Sequence, residues 1–166
     1  MALIGASRYV TSVDRIDVDE LVDEGVRCVL VDRDNTLVPR DTKVAPPEVL
    51  EWIGQLHEVG IGTCMVSNNF HTNAVCASAA ELGCKVVHHA MKPAPVAVKH
   101  ALSTMGVRAS EAVMVGDQLF TDMIAGNLAG VRTILVRPQS QTDLWYTLIL
   151  RKVEHFFLRG VTFEGE

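Results

Sequence analysis

Four short stretches of this chain carry side chains that could do chemistry together. Asp32 and Asp34 stand one residue apart directly after a β-branched apolar run, with Thr36 two residues on. A carboxylate left unpaired in a core is expensive to desolvate, so two of them at a strand exit call for a metal ion or a donor-rich loop. Ser67, Asn68 and Asn69 follow a second apolar run and offer a hydroxyl and amides to an anion. Lys92 comes after a third run, just before Pro93, and Gly116, Asp117, Thr121 and Asp122 follow a fourth. Taken singly, each has a structural explanation: an Asp as turn former or helix cap, Ser67 or Thr121 as caps, Lys92 as a surface lysine. Four such stretches in succession do not reduce to capping. Carboxylate oxygens suit Mg²⁺ while Ser, Asn and Lys suit a phosphate, so the set reads as a phosphoryl-transfer site.

Residues so far apart need a scaffold to bring them together. From Cys28 onward one unit repeats: a short β-branched apolar run, a turn, then a helical pattern. The runs at 28–32, 61–66, 85–88, 112–115 and 133–136 read as buried parallel strands. Helical patterns cover 46–59, 71–82, 93–105 and 121–129, and Gly60, Gly83, Gly106 and Gly130 close them. Proline near a helix start and glycine past its end is the expected punctuation. The alternation predicts an open α/β sheet with helices on both faces, a fold that places its sites at the carboxyl ends of its strands. All four stretches stand there. Residues 14–24 carry six acidic side chains and one arginine and read as a leading helix with a solvated face.

The chain has 166 residues, 48% hydrophobic and 21% charged, with a mean hydropathy of +0.21. That predicts one soluble domain, since a chain of this size buries roughly 70% of its unfolded surface without needing disulfides or a structural metal. The formal charge of −5 argues against a nucleic-acid partner, whose binding rests on releasing counterions from phosphates. Cys28, Cys64, Cys76 and Cys84 match no zinc-ligand spacing and read as reduced core residues. Charge arrives too early at the N-terminus for a secretory signal, and no apolar run approaches the ~20 residues of a membrane-crossing helix. A cytoplasmic, reducing location is the expectation. No glycine-rich nucleotide loop occurs.

The order and content of the four stretches resemble the haloacid dehalogenase-like (HAD) phosphatase superfamily. Asp32-x-Asp34-x-Thr36 matches its first motif, Ser67 its second, Lys92 its third and Gly116-Asp117-x4-Asp122 its fourth, over residues 28–138. The fuller strings, Asp34-Asn-Thr-Leu, Ser67-Asn-Asn, Lys92-Pro and Gly116-Asp-Gln-Leu-Phe-Thr-Asp, are similar to subfamily IIIA and its YqeG and phosphatidylglycerophosphate phosphatase-like branch. The resemblance implies a single Rossmann-like domain and a phosphomonoesterase. Asp32 would be the nucleophile, forming an aspartyl-phosphate, and Asp34 the acid and base. Mg²⁺ would be held by Asp32, the Asp34 main-chain carbonyl, Asp117 and Asp122. Ser67, Asn68 and Lys92 would hold the phosphate, and Thr36 would brace the loop. One position departs from the pattern. Arg33 stands where an apolar residue is usual; snorkelling to the surface is the favoured reading, beside pairing with an acidic neighbour or reaching a second anion on the substrate.

HAD phosphatases often insert a cap domain between the first and third motifs, and here the intervals 36–67 and 67–92 leave no room for one. An open site suits a phosphate on something large or on a membrane, with phosphatidylglycerophosphate the leading candidate. Other phosphorylated substrates, or a phosphoacceptor or binding module without turnover, are the alternatives. His71, His88 and His89 near the site are read as packed or surface residues. Residues 1–26 form the leading segment, 27–138 the phosphatase core, and 139–166 an amphipathic C-terminal helix. Its apolar face carries Trp145, Leu148, Ile149, Val153, Phe156 and Phe157, with Asp143 as N-cap and Arg151, His155 and Arg159 as a basic stripe. The helix either docks on the sheet or lies in a membrane interface, making the protein peripheral on its inner face. On the second reading, removing everything after Pro138 abolishes liposome binding and spares turnover of a soluble aryl phosphate.

Overall fold

The computed structural model describes residues 2–166. The six strands, all parallel, are β1 (Arg8–Val10), β2 (Cys28–Val31), β3 (Gly62–Val66), β4 (Lys85–Val87), β5 (Ala112–Gly116) and β6 (Arg132–Val136). They lie in the order β1-β6-β5-β2-β3-β4. Five match the predicted runs. β1 comes from the leading segment, where its three residues at a sheet edge are too short for an alternation to show.

The helices are α1 (Val18–Asp23), α2 (Pro47–Glu58), α3 (Thr72–Leu82), α4 (Val96–Met105), α5 (Ile124–Leu128) and α6 (Trp145–Phe157). Buried strand residues alternate between two faces, as a pleat with helices on both sides requires. Val29, Val31, Met65, Val113 and Val115 pack with residues of α1, α2 and α3, while Cys28, Leu30, Cys64 and Met114 pack with α4 and α5. α2 shows how sequence sets this packing: Pro47 sits in its first turn, and Val49, Trp52, Ile53 and Leu56 form one buried stripe. The Trp52 indole N–H donates to the Ile16 carbonyl at 3.0 Å, so this large ring buries no unsatisfied donor. α3 ends at Gly83, whose φ of 68° is open to glycine without a Cβ penalty.

Several local expectations change. The acidic segment starts as a short turn at Val13–Arg15, and the helix proper begins at Val18, capped by the Asp17 carboxylate. Cys76 is exposed on α3, not a core residue; all four cysteines are free. The chain then returns to the sheet: Phe163 is buried against Leu119, Met123 and Leu135, and Glu164 bridges to Val10 and pairs with Arg8. Removing everything after Pro138 would therefore take a core residue with it, and no longer isolates a membrane helix. Among the described residues no helix is long and apolar enough to cross a membrane.

Candidate active site

The strand order reverses at β2, which sends one connection toward β3 and receives β5 on its other side, and ligands bind outside the strand ends at such a switch point. Asp32 leaves β2 there, its N–H still donating to the Val115 carbonyl at 2.9 Å. Lys92 reaches the same point. Its buried ammonium donates to Asp32 Oδ1 at 2.7 Å, Asp122 Oδ1 at 2.6 Å and the Val66 carbonyl at 2.8 Å. Burial works against that charge, but Asp122 and Asp32 outweigh it and hold Lys92 above the ordinary lysine value. Asp32 is itself pushed well up, first by burial and then by Asp122.

Asp117, at the end of β5, faces Asp32 across the switch point. Its Oδ1 accepts from the Thr36 hydroxyl at 3.1 Å, so the brace assigned to Thr36 runs to a carboxylate. Its Oδ2 accepts from Arg151, whose other terminal nitrogen donates to the Asp117 carbonyl at 2.6 Å. Burial raises Asp117 to about 6 in spite of Arg151. Asp122 is brought in by a wide turn, Leu119–Met123, that precedes α5. Gly116 makes room for it, since a Cβ at that position would run into the Asp122 carboxylate.

Asp32, Asp117 and Asp122, all buried, place carboxylate oxygens within 4.8 Å of one another. Three carboxylates face two cations, Lys92 and Arg151, leaving an excess of negative charge in a set of hard oxygen donors. Such a set fits a divalent ion of the Mg²⁺ kind. The Asp34 carboxylate is not part of that cluster, so any share of Asp34 in metal binding falls to its main-chain carbonyl.

Asp34 is held by cations instead. Arg33 Nη1 donates to Asp34 Oδ1 at 2.6 Å and Arg33 Nε to Ser78 Oγ at 2.9 Å, and the residue is only 7% exposed. The snorkelling reading of Arg33 is therefore wrong: a carboxylate and a hydroxyl hold the guanidinium in the wall of the site. Asn69 donates to Asp34 Oδ2 at 3.0 Å, and Arg40 lies 3.5 Å from the same atom.

The second motif divides its labour. The buried Ser67 hydroxyl accepts from the Asn69 N–H at 3.1 Å. Asn68, expected to bind phosphate, commits both ends of its amide to Lys92, accepting from its N–H at 2.8 Å and donating to its carbonyl at 3.0 Å. The Asn68 side chain thus positions the lysine loop while standing in the wall of the chamber described below. His71, His88 and His89 are exposed, and His71 alone lines the cavities of the site.

Sequence reading missed Arg40, the inward side of α6, and the contacts that Asn69 and Asp143 make. Asp143 does not cap the helix. Its buried carboxylate lies 3.0 Å from both Arg40 Nε and Arg151 Nη2, linking the two loops over the site. α6 docks by its polar side: Glu154 is buried and accepts from the Phe120 N–H at 3.3 Å, while Trp145, Leu148, Ile149, Phe156 and Phe157 are exposed. Arg151 thus leaves the expected basic stripe. Burial lifts Glu154 to about 7 in spite of the Arg151 charge.

These side chains open onto a chamber of about 180 Å³ lined by Asp32, Asp34, Asn68, Lys92, Thr121 and Asp122. Beside it lies a larger cavity of about 780 Å³, and Asp34, Arg40 and Asn69 stand in the wall of both. The arrangement offers a buried carboxylate at the switch point, a second carboxyl beside it, an ammonium and an adjoining cavity.

The profile of the family described as haloacid dehalogenase-like hydrolases matches residues 1–130. The chain belongs to that family, and it is a phosphatase. It is 34% identical over 157 residues to "Probable phosphatase YqeG" of Bacillus subtilis (strain 168), covering 95% of this chain and 91% of the relative. It is 29% identical to "Phosphatidylglycerophosphate phosphatase 1, chloroplastic/mitochondrial" of Arabidopsis thaliana, over 77% of this chain and 39% of that protein. The cobalt-bound deoxy-D-mannose-octulosonate 8-phosphate phosphatase YrbI of Haemophilus influenzae shares its fold at a TM-score of 0.55 and 14% identity, covering 82% of this chain and 89% of that one.

Proposed function

We propose that the chain is a Mg²⁺-dependent phosphomonoesterase that works through an aspartyl-phosphate on Asp32, with phosphatidylglycerophosphate as its leading substrate. The observation that carries the reaction class is the buried convergence of Asp32, Lys92, Asp117 and Asp122 beside Asp34. A bound divalent ion, held by Asp32, Asp117, Asp122 and the Asp34 carbonyl, would keep Asp32 anionic and offset its repulsion from the phosphate. Asp32 attacks phosphorus in line with the ester oxygen, and the departing alkoxide takes its proton from Asp34. Asp34 then accepts a proton from water as that water attacks the aspartyl-phosphate, releasing inorganic phosphate and restoring both carboxyl groups. Lys92 and Ser67 stabilise the equatorial oxygens, while Asn68 keeps the lysine loop in place. Arg33, Arg40 and Asn69 orient the Asp34 carboxyl toward the shared wall of the two cavities.

Support for a lipid substrate comes from the phosphatidylglycerophosphate phosphatase relatives and from α6. Its apolar residues face solvent, and Leu144 and Tyr146 at its start line the phosphate chamber. A membrane-facing α6 would present the chamber to a headgroup, with the protein cytoplasmic and peripheral. In this reading residues 27–138 carry the chemistry and 139–166 the membrane contact. The test is phosphate release from phosphatidylglycerophosphate in mixed micelles with Mg²⁺, beside a soluble aryl phosphate, with Asp32→Asn as blank. Lipid turnover abolished by EDTA and by the substitution is the expected result. Aryl phosphate turnover alone would discard the lipid, and silence on both would discard the enzyme reading.

A further inference from the structure

The larger cavity is cationic beyond what the chemistry of Asp34 requires. Its charged walls are Arg33, Arg40 and Lys43 against Asp34 and Asp143, and Asp143 is shared with Arg151 outside it. Arg33 spends Nε on Ser78 and Nη1 on Asp34, and its Nη2 has no partner among the described residues. Arg40 spends Nε on Asp143 and Nη2 on Asp34, which leaves its Nη1 over. The exposed Lys43 makes no ion pair among the described residues, and its backbone is held at φ 58°, a conformation a lysine rarely adopts. The first turn of α3 faces the same space, with no acidic residue and no side-chain cap, and the N–H groups of Asn73 and Ala74 have no acceptor among the described residues. Pairing with Asp34 and Asp143 explains one face of each guanidinium. It does not explain the spare donors, or Lys43.

We infer that this cavity is a subsite for a second anion on the leaving group: the substrate is a phosphomonoester whose alcohol carries another phosphate or phosphodiester a few bonds away. Resting on the phosphatase reading, this makes Arg33, Arg40 and Lys43 determinants of specificity. Arg40, in the wall of both cavities, spans the two anions. A phosphodiester in a lipid headgroup and the second group of a soluble bisphosphate share this chemistry.

The experiment compares kcat/KM for propane-1,3-diol bisphosphate and for the deacylated headgroup glycerophosphoglycerol phosphate with that for propyl phosphate, in wild type, Lys43→Ala and Lys43→Arg. A preference of at least about tenfold is expected for one of the two substrates that carry a second anionic group, lost with alanine and regained with arginine. Preference for the headgroup points to the diester source, and preference for the bisphosphate to the soluble one. In parallel, propane-1,3-bisphosphonate and propylphosphonate are titrated calorimetrically into Asp32→Asn protein with and without Lys43→Ala. Tighter binding of the bisphosphonate that depends on Lys43 is expected. Turnover without either preference, or a preference that survives Lys43→Ala, overturns the subsite and leaves the phosphatase. Preferential binding without turnover of any monoester overturns the phosphatase and leaves the anion site; absence of both overturns both.

Discussion

Asp32 shares the Lys92 ammonium with Asp122, beside an Asp117 held by Arg151, and three carboxylates against two cations cost stability when no divalent ion is bound. Replacing it by asparagine keeps the shape, removes one charge and leaves Lys92 bonded to Asp122 and to the Val66 carbonyl. Phosphate release should fall at least about 10³-fold in Asp32→Asn, because the proposed nucleophile is gone. In EDTA its denaturation midpoint should be no lower than that of the wild type. Loss of activity together with loss of stability would mean that Asp32 is structural. The neighbouring position shows how far residue types could be read from sequence. Asp32, Asp34, Ser67, Lys92, Asp117 and Asp122 were legible because their spacing follows strand ends. Pairing of Arg33 with its acidic neighbour was among the readings open from sequence, but its burial was not legible, because Ser78 reaches it only once α3 is laid beside β2.

Elements position these residues, and two of them do so under tight constraint. Asp122 swings into the site over Gly116, where no Cβ can be accommodated. Gly116→Ala should cost about 2–4 kcal/mol in chemical denaturation and should lower activity as well, since the atom displaced is a site carboxylate. α6 inverts the usual rule for an amphipathic helix. Its apolar stripe was plain in the sequence, but the stripe faces outward, because Arg151 and Glu154 on the opposite side find partners at Asp117 and Phe120. Periodicity shows that a helix has two faces; which one docks depends on partners elsewhere in the chain. Burial lifts the Glu154 carboxyl from an ordinary 4.5 to about 7. Between those values the folded form keeps a proton that the unfolded form has lost, so stability falls as pH rises from about 4.5 to about 7. Denaturation midpoints in EDTA at the two ends of that window should converge in Glu154→Gln, with the slope reduced by on the order of 2 kcal/mol.

At the scale of the molecule, the parallel sheet brings residues from positions 32 to 151 to one end, and the charge gathered there needs a counter-ion. Mg²⁺ should therefore raise the melting temperature, by about 5–10 °C at a hundredfold excess over its Kd, and Asp117→Asn should abolish the increase. An unchanged midpoint at millimolar Mg²⁺ would remove the metal from the reading. The sheet was legible from its β-branched runs and closing glycines because buried parallel strands are apolar throughout. β1 and the returning Phe163 were not, because an edge strand of three residues and a lone aromatic carry no period.

The chain's two tryptophans report on different places. Trp52 lies 2% exposed in the core against Ile16, and Trp145 lies 74% exposed at the start of α6, its ring 5.8 Å from that of Tyr146 in the chamber wall. The protein's ultraviolet emission is thus a sum of a blue component fixed by the core and a red, quenchable one belonging to the mouth of the site. Iodide should silence only the second, and vesicles that receive α6 should shift it toward the blue and shield it from iodide. One unlabelled spectrum can therefore separate an event at the mouth of the site from a change in the fold.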